Sequence, residues 1–313
     1  MNTGYSPETV KQSLDEVLYV AYDYPTDLHP DIGTAETPEL FKQDTTELGA
    51  VQYAEYLPPG LFEEVSEEEE APIATIRTAN KTTKNIQNWK KTLKISKEWY
   101  DDTMFDVVNR TVSLAGLRAR TTRDKNAMDV YAGGFDATTT PDGNYLWYDT
   151  HATLDGGTVD NLTTGALTGP NMKILVQMLL EQKAQDGELG GHHAEAILVA
   201  PALADNAYEV LQSELIPDKT DNNLNYFSKV YPGLRIFVSP FVGSTYNDYT
   251  YADSAHYLVS ANHLISRTVR QPLYTNLIGW EYDPYDRWTY KLGYREVVMA
   301  KGWEGAVASN GSA

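Results

Sequence analysis

No cysteine occurs among the 313 residues. Disulfides, thiolate nucleophiles and cysteine-ligated zinc are therefore excluded together, and the composition fits a reducing compartment. Cations are scarce as well: 25 Lys and Arg stand against 44 Asp and Glu, a formal charge of −19. A balance this acidic argues against a protein whose main task is to hold nucleic acid, because phosphate binding needs clustered Lys and Arg, and free copies of the chain repel one another. No apolar run reaches the ~18 residues needed to cross a bilayer. The opening stretch MNTGYSPETVKQSLDEV carries neither the basic patch nor the apolar core of a signal peptide. A protein made in the cytoplasm, with no membrane partner, is expected. Phenylalanine is rare, at 7 against 22 tyrosines, and tyrosine suits strand rims and surfaces that become half-buried in interfaces.

Signatures of catalysis are equally thin. Phosphate loops, dinucleotide fingerprints and H-E-x-x-H pairs are absent from the sequence. The densest polar stretch is WYDTHATLDGG, where Asp149, His151 and Asp155 fall within seven positions. A metal site needs ligands on a rigid element with a supporting second layer, and H-x-x-x-D in a Gly-rich loop is a weak signal for one. No Ser lies in a G-x-S-x-G elbow to serve as nucleophile. His192 and His193 in GGHHAE are neighbours on a turn, point apart, and read as loop residues. DKTDNNLNYFSK imitates a calcium loop only superficially, because Tyr226 stands where Gly is required and no Glu closes the twelve-residue loop from Asp221. The expectation is a protein that is not an enzyme, with no catalytic, cofactor-binding or metal residues and no cofactor.

What is present is organisation. Hydrophobic residues make up 42 % and charged residues 22 %, enough for a substantial core. Residues 1–50 carry Pro25, Pro30 and Pro38 among scattered acids, with order expected only over Leu14–Tyr22, so they read as an extended arm. LFEEVSEEEE (61–70) then packs six glutamates into ten positions. The following 27 residues hold no acid and seven bases: Arg77, Lys81, Lys84, Lys90, Lys91, Lys94 and Lys97. Polar–apolar alternation over 51–97 predicts a long β-hairpin, and adjacent blocks of opposite sign favour complementary pairing over two solvated faces.

From Glu98 to Ala132, Met104, Val108, Val112, Ala115 and Ala119 recur at helical spacing, which predicts one rod about 50 Å long. GPNMKILVQMLLEQKAQDG predicts a helix with Met172, Leu175, Val176, Leu179 and Leu180 on one face, starting near Pro170 and stopping at Gly187. AEAILVAPAL and LRIFVSPFV read as buried strands, and ADNAYEVLQSEL between them as a helix. Beyond Tyr257 the chain reads as consecutive strands. The fold class is α+β, with no internal repeat.

This order resembles the major capsid proteins of tailed bacteriophages with the HK97 fold, especially those similar to the Mu-like major head subunit. ELFKQDTTELGAVQYAEY followed by LPPGLFEEVSEEEEAPI looks like the entry to that family's extended loop. TLKISKEWYDDTMFDVVNRTVSLAGLRARTTRDKNAMDVYAG is similar to its strand and spine helix. LWYDTHATLDGGTVDNLTTGALTGPNM resembles the run ahead of its axial-domain helix, which would make His151 a structural loop residue.

The resemblance implies an N-terminal arm (1–50), an extended loop (51–97), a spine helix and peripheral domain (98–145 completed by 256–313) and an axial domain (146–255). It further implies a major head subunit, located in the virion, that assembles with itself into hexamers and pentamers of an icosahedral shell. The shell would enclose double-stranded DNA without sequence-specific binding and admit scaffolding, portal and decoration proteins as partners. A phage tail or adhesion protein, and an Asp/His hydrolase, are the alternatives. The first should show repeats or heptads; metal content would reveal the second.

Overall fold

The computed structural model describes residues 7–28, 31–62, 64–66, 70, 73, 77–101, 105–214, 224–246 and 248–312. In chain order the helices are α1 (Pro7–Leu28), α2 (Lys97–Asp101), α3 (Phe105–Ala132), α4 (Gly169–Leu180), α5 (Ala204–Gln212) and α6 (Tyr226–Val230). The strands are β1 (Lys42–Thr45), β2 (Ala50–Tyr56), β3 (Thr78–Asn85), β4 (Gln87–Ser96), β5 (His151–Ala152), β6 (Thr158–Val159), β7 (Leu162–Thr163), β8 (Ala194–Val199), β9 (Arg235–Val238), β10 (His256–Ser260), β11 (Ile265–Ile278), β12 (Arg287–Ala300) and β13 (Ala306–Ser309).

The five-stranded sheet β7-β13-β10-β8-β9 is built by strict period-2 alternation. Ile197 and Val199 of β8, Leu258 of β10 and Val307 of β13 face one side. There α4 lays down Met172, Leu175, Val176 and Leu179, while α5 and α6 add Leu211 and Phe227. Ala196 and Leu198, Tyr257 and Val259, Ala306 and Ala308 face the other side. The C-terminal part of α3 covers that face with Ala127, Met128 and Tyr131, beside Phe41 and Trp147. Because both faces are covered, these strands read as nearly continuous apolar runs.

The second sheet, β1-β11-β12-β4, carries the N-terminal part of α3. Val108 and Val112 pack on Trp288, Tyr290 and Leu292 of β12 and Ile95 of β4, as the helical spacing requires; Met104 lies outside the described residues. Val10, Leu14 and Leu18, four residues apart on one face of α1, close the same core. The two helices cross at Gly116, where a Cβ would stand 2.4 Å from the Leu18 carbonyl oxygen.

Four expectations change. The N-terminal segment is not an extended arm over its described part but a 22-residue helix: its apolar stripe Val10–Leu14–Val17–Leu18–Ala21 outweighs the prolines, with Pro7 at the first turn, where it costs no hydrogen bond. The spine is helical over Lys97–Asp101 and Phe105–Ala132, the latter 28 residues, or roughly 42 Å, and residues 102–104 lie outside the described residues. The hairpin legs are β2 and β3 alone; Ile86 turns inward and β4 leaves to pair with β12 over Gln87–Ser96. Helix α4 ends at Leu180 rather than Gly187. Gly187 instead takes φ +81° in a turn where its N–H donates to the Ala184 carbonyl at 3.0 Å. Finally, β10 and β13 belong to the five-stranded sheet with β8 and β9, although the sequence grouping placed 256–313 with the spine.

Candidate assembly interface

The β2–β3 hairpin pairs Ala50 with Asn85 through Tyr56 with Thr78, and β3 is polar on both faces, as TANKTTKN dictates. In the connection beyond it, Leu61, Phe62 and Ile73 are strongly exposed, Phe62 entirely so. Glu64 and Glu70 are exposed too; Glu63, Glu67, Glu68 and Glu69 lie outside the described residues. Bare apolar side chains flanked by carboxylates are characteristic of a surface meant to be covered.

Elsewhere on the subunit, a groove of about 320 Å³ runs between α3 and the β4–β12 pair. Trp89, Leu93, Leu114, Ala115 and Leu292 make its apolar lining, and Lys90, Lys91 and Arg118 add positive charge. The seven bases are thus not one ladder facing the acids. Lys81 and Lys84 are on the hairpin, Lys90, Lys91 and Lys94 are on the sheet, and Lys97 lies 3.9 Å over the Trp280 ring.

The WYDTHATLDGG stretch is structural in its geometry. His151 is fully buried on β5 and meets Asp142, not Asp149 or Asp155: Nδ1 lies 2.7 Å from Asp142 Oδ2, with its ring stacked on Trp303 at 5.2 Å. Burial alone would raise the Asp142 carboxyl, but the hydrogen bonds from His151 and Thr140 hold it below the usual range. Asp149 is exposed and engages Thr150, while Asp155 accepts from the Thr153 hydroxyl and the Gly157 N–H. Among the described residues no group of three His, Asp or Glu side chains is arranged to hold a metal. His192 is a buried loop residue 3.4 Å from Ser260 Oγ, and His193 is exposed; Asp221 lies outside the described residues.

Next to this corner is the loop end of the β2–β3 ladder. Glu55 on β2 is buried, with Oε2 accepting from Asn80 Nδ2 at 2.9 Å, and burial raises its carboxyl above the ordinary value. Glu304, just past the stacked Trp303, is pushed up to about 7, first by burial and then by the charges of Glu55 and Asp186.

A second polar assembly went unread in the sequence. On α3, Arg120 holds Asp124 at 3.0 Å and Glu36 at 3.0 Å, while Arg123 holds Glu36 at 2.8 Å and Glu296 of β12 at 3.2 Å. Arg267 of β11 binds Glu296 at 2.7 Å. Three guanidiniums face three carboxylates, so helix, sheet and the loop at Glu36 are joined by a charge-balanced network. Only the i,i+4 pair Arg120–Asp124 left a trace in RARTTRD.

A family model described as phage capsid protein matches residues 80–309. No curated protein matches the chain in sequence. Among solved structures, a virus-like particle from Pyrococcus furiosus is similar at 10 % identity and TM-score 0.54, covering 95 % of this chain and 98 % of that one. The capsid of cyanophage P-SCSP1u is similar at 13 % identity and TM-score 0.54, covering 91 % and 93 %. The capsid of an empty GTA particle is similar at 12 % identity and TM-score 0.52, covering 90 % and 91 %. At such identities the likeness is one of fold, and that fold is the HK97 type.

Proposed function

The chain belongs to the phage capsid protein family, and from that premise we propose how its geometry builds a shell. It is a major capsid subunit, a structural component of the virion that associates with its own kind. The reading assigns the five-stranded sheet with α4, α5 and α6 to the axial domain, the four-stranded sheet with α1 and α3 to the peripheral domain, and β2–β3 to the extended loop. The shell is icosahedral, built of pentamers and hexamers, and the chain has no catalytic role. Within the family it stands with the Mu-like head subunits, is made in the host cytoplasm, and meets scaffolding, portal and decoration proteins. Double-stranded DNA is enclosed without sequence-specific contact, because −19 per subunit repels phosphate.

One observation carries the contact between copies: the hairpin bears Leu61, Phe62 and Ile73 strongly exposed among the described residues. The α3–β4–β12 groove offers the apolar lining and the cations Lys90, Lys91 and Arg118 that an acidic, apolar segment requires. The hairpin of one subunit therefore lies across the groove of the next. Each ion pair contributes only ~0.2–1 kcal/mol, and repetition around the shell supplies the rest. The test is negative-stain microscopy of the purified protein. The wild type is expected to form shells, whereas changing Glu67, Glu68, Glu69 and Glu70 to Lys leaves a folded subunit without shells. Reversal of Lys90, Lys91 and Arg118 in that background should restore part of the yield. Normal shells from the glutamate reversal alone would overturn the interlock.

A further inference from the structure

Where the β2–β3 ladder meets its connecting loop, a cavity of about 20 Å³ is enclosed by Tyr53 and Glu55 of β2, Gln185 from the turn after α4, Leu264, and Lys301 and Glu304 beyond β12. One water needs ~10–15 Å³, so the space takes a single small occupant. Its walls are rich in acceptors. Glu55 and Gln185 are each more than nine-tenths buried, and each leaves its Oε1 without a partner. The other Glu55 oxygen is taken by Asn80, and the carboxylate of Glu304 accepts from the Gln185 amide. Lys301 does not neutralise the pocket, since its ammonium is drawn to Asp44. Two buried carboxyl groups and an orphaned amide oxygen leave the pocket rich in acceptors and short of donors, a costly arrangement without a compensating partner. A water brings two protons to these acceptors, whereas a cation engages all of them at once.

We propose that this cavity binds one hard divalent cation of the calcium type, ligated by the side-chain oxygens of Glu55, Gln185 and Glu304. Carboxylate and amide oxygens are the ligands such ions prefer. With only three protein side chains, affinity falls at the weak end of protein calcium sites, ~10⁻⁴–10⁻³ M. The three ligands come from segments distant in sequence, so the ion ties the loop end of the β2–β3 ladder to the turns beside the five-stranded sheet and fixes the point from which the connecting loop leaves. This inference stands whether or not the hairpin docks in the groove described above.

The test uses the full-length protein and terbium, a luminescent calcium substitute, excited through Tyr53 at the cavity wall and displaced by calcium. One saturable, calcium-displaceable site per subunit is expected, weakened at least tenfold in E55Q and in E304Q. The exposed-site variant E64Q should match the wild type. Where a glutamate variant fails to fold by circular dichroism, Q185M carries the same test and should also weaken the site. Calcium should slow hydrogen exchange over Ala50–Tyr56 in the wild type and not in E304Q. Wild-type affinity in the folded E55Q, E304Q and Q185M variants, or no saturable site in the wild type, would overturn the proposal.

Discussion

The five-stranded sheet and the β2–β3 hairpin are made of the same material and solve opposite problems. Each strand from β8 to β13 in that sheet alternates between two apolar layers, one supplied by α4 to α6 and the other by α3. The hairpin has two strands, a polar β3 and an apolar tip that is exposed among the described residues. An isolated two-stranded ribbon is marginal in water, and in the proposed docking the hairpin completes its burial on another copy. The first region should respond to mutation through subunit stability, the second through assembly.

That contrast can be broken most sharply in the core under α3. Val112 is fully buried between α1, α3 and β12, and Val112→Asp places an unpaired charge there. A loss of roughly 4–5 kcal/mol is expected in urea denaturation, enough to abolish the folded subunit. A wild-type unfolding midpoint would mean that α1 does not close this face.

His151→Ala comes next. The change leaves the Asp142 carboxylate, whose side chain is only 3 % exposed, without its main partner. A loss of about 3 kcal/mol is expected. Asp142→Asn in the same background should recover part of it, and additive effects of the two changes would refute the pairing.

Acid probes the sheet by another route. Burial holds His256 and His263 at about 4. Both are neutral in the fold, whereas the unfolded chain takes up protons below pH ~6.5. Their contribution is therefore absent above that pH and destabilises progressively as pH falls toward 4, by up to roughly 3 kcal/mol for each histidine. Unfolding midpoints measured from pH 7 to 4 should fall less steeply in the His256→Gln, His263→Gln double variant.

The smallest effect on subunit stability belongs to the hairpin. Replacing residues 57–77 by a short Gly-Ser linker should shift subunit stability by less than ~1 kcal/mol, with shells lost in microscopy. A large destabilisation would place the hairpin inside the subunit core after all.

How much of this was legible depended on how local each signal was. AEAILV declares a doubly covered strand because its partners on both faces demand apolar side chains, and Val108 and Val112 declare their helix face through spacing. Strand β4 was misassigned to the hairpin because its partner β12 lies about two hundred residues away, and nothing in QNWKKTLKIS distinguishes the two pairings. Helix α1 was hidden by its weight of proline and acid. The network around Glu36 and Glu296, and the cavity at Glu55, Gln185 and Glu304, join segments that no spacing connects. The partner of His151, Asp142, lies outside the stretch that drew attention.

The position of β13 sets a timetable for biosynthesis. It is the last described strand to be made, yet it sits inside its sheet, antiparallel to β10 on one side and parallel to β7 on the other. Until residue 309 has been synthesised, β7 has no neighbour in that sheet and β10 offers an open edge. The slow, non-local closure of β13 follows translation of every other described strand. A nascent chain on the ribosome therefore carries an unfinished sheet, and only a chain translated through β13 presents the completed surface from which a shell can grow.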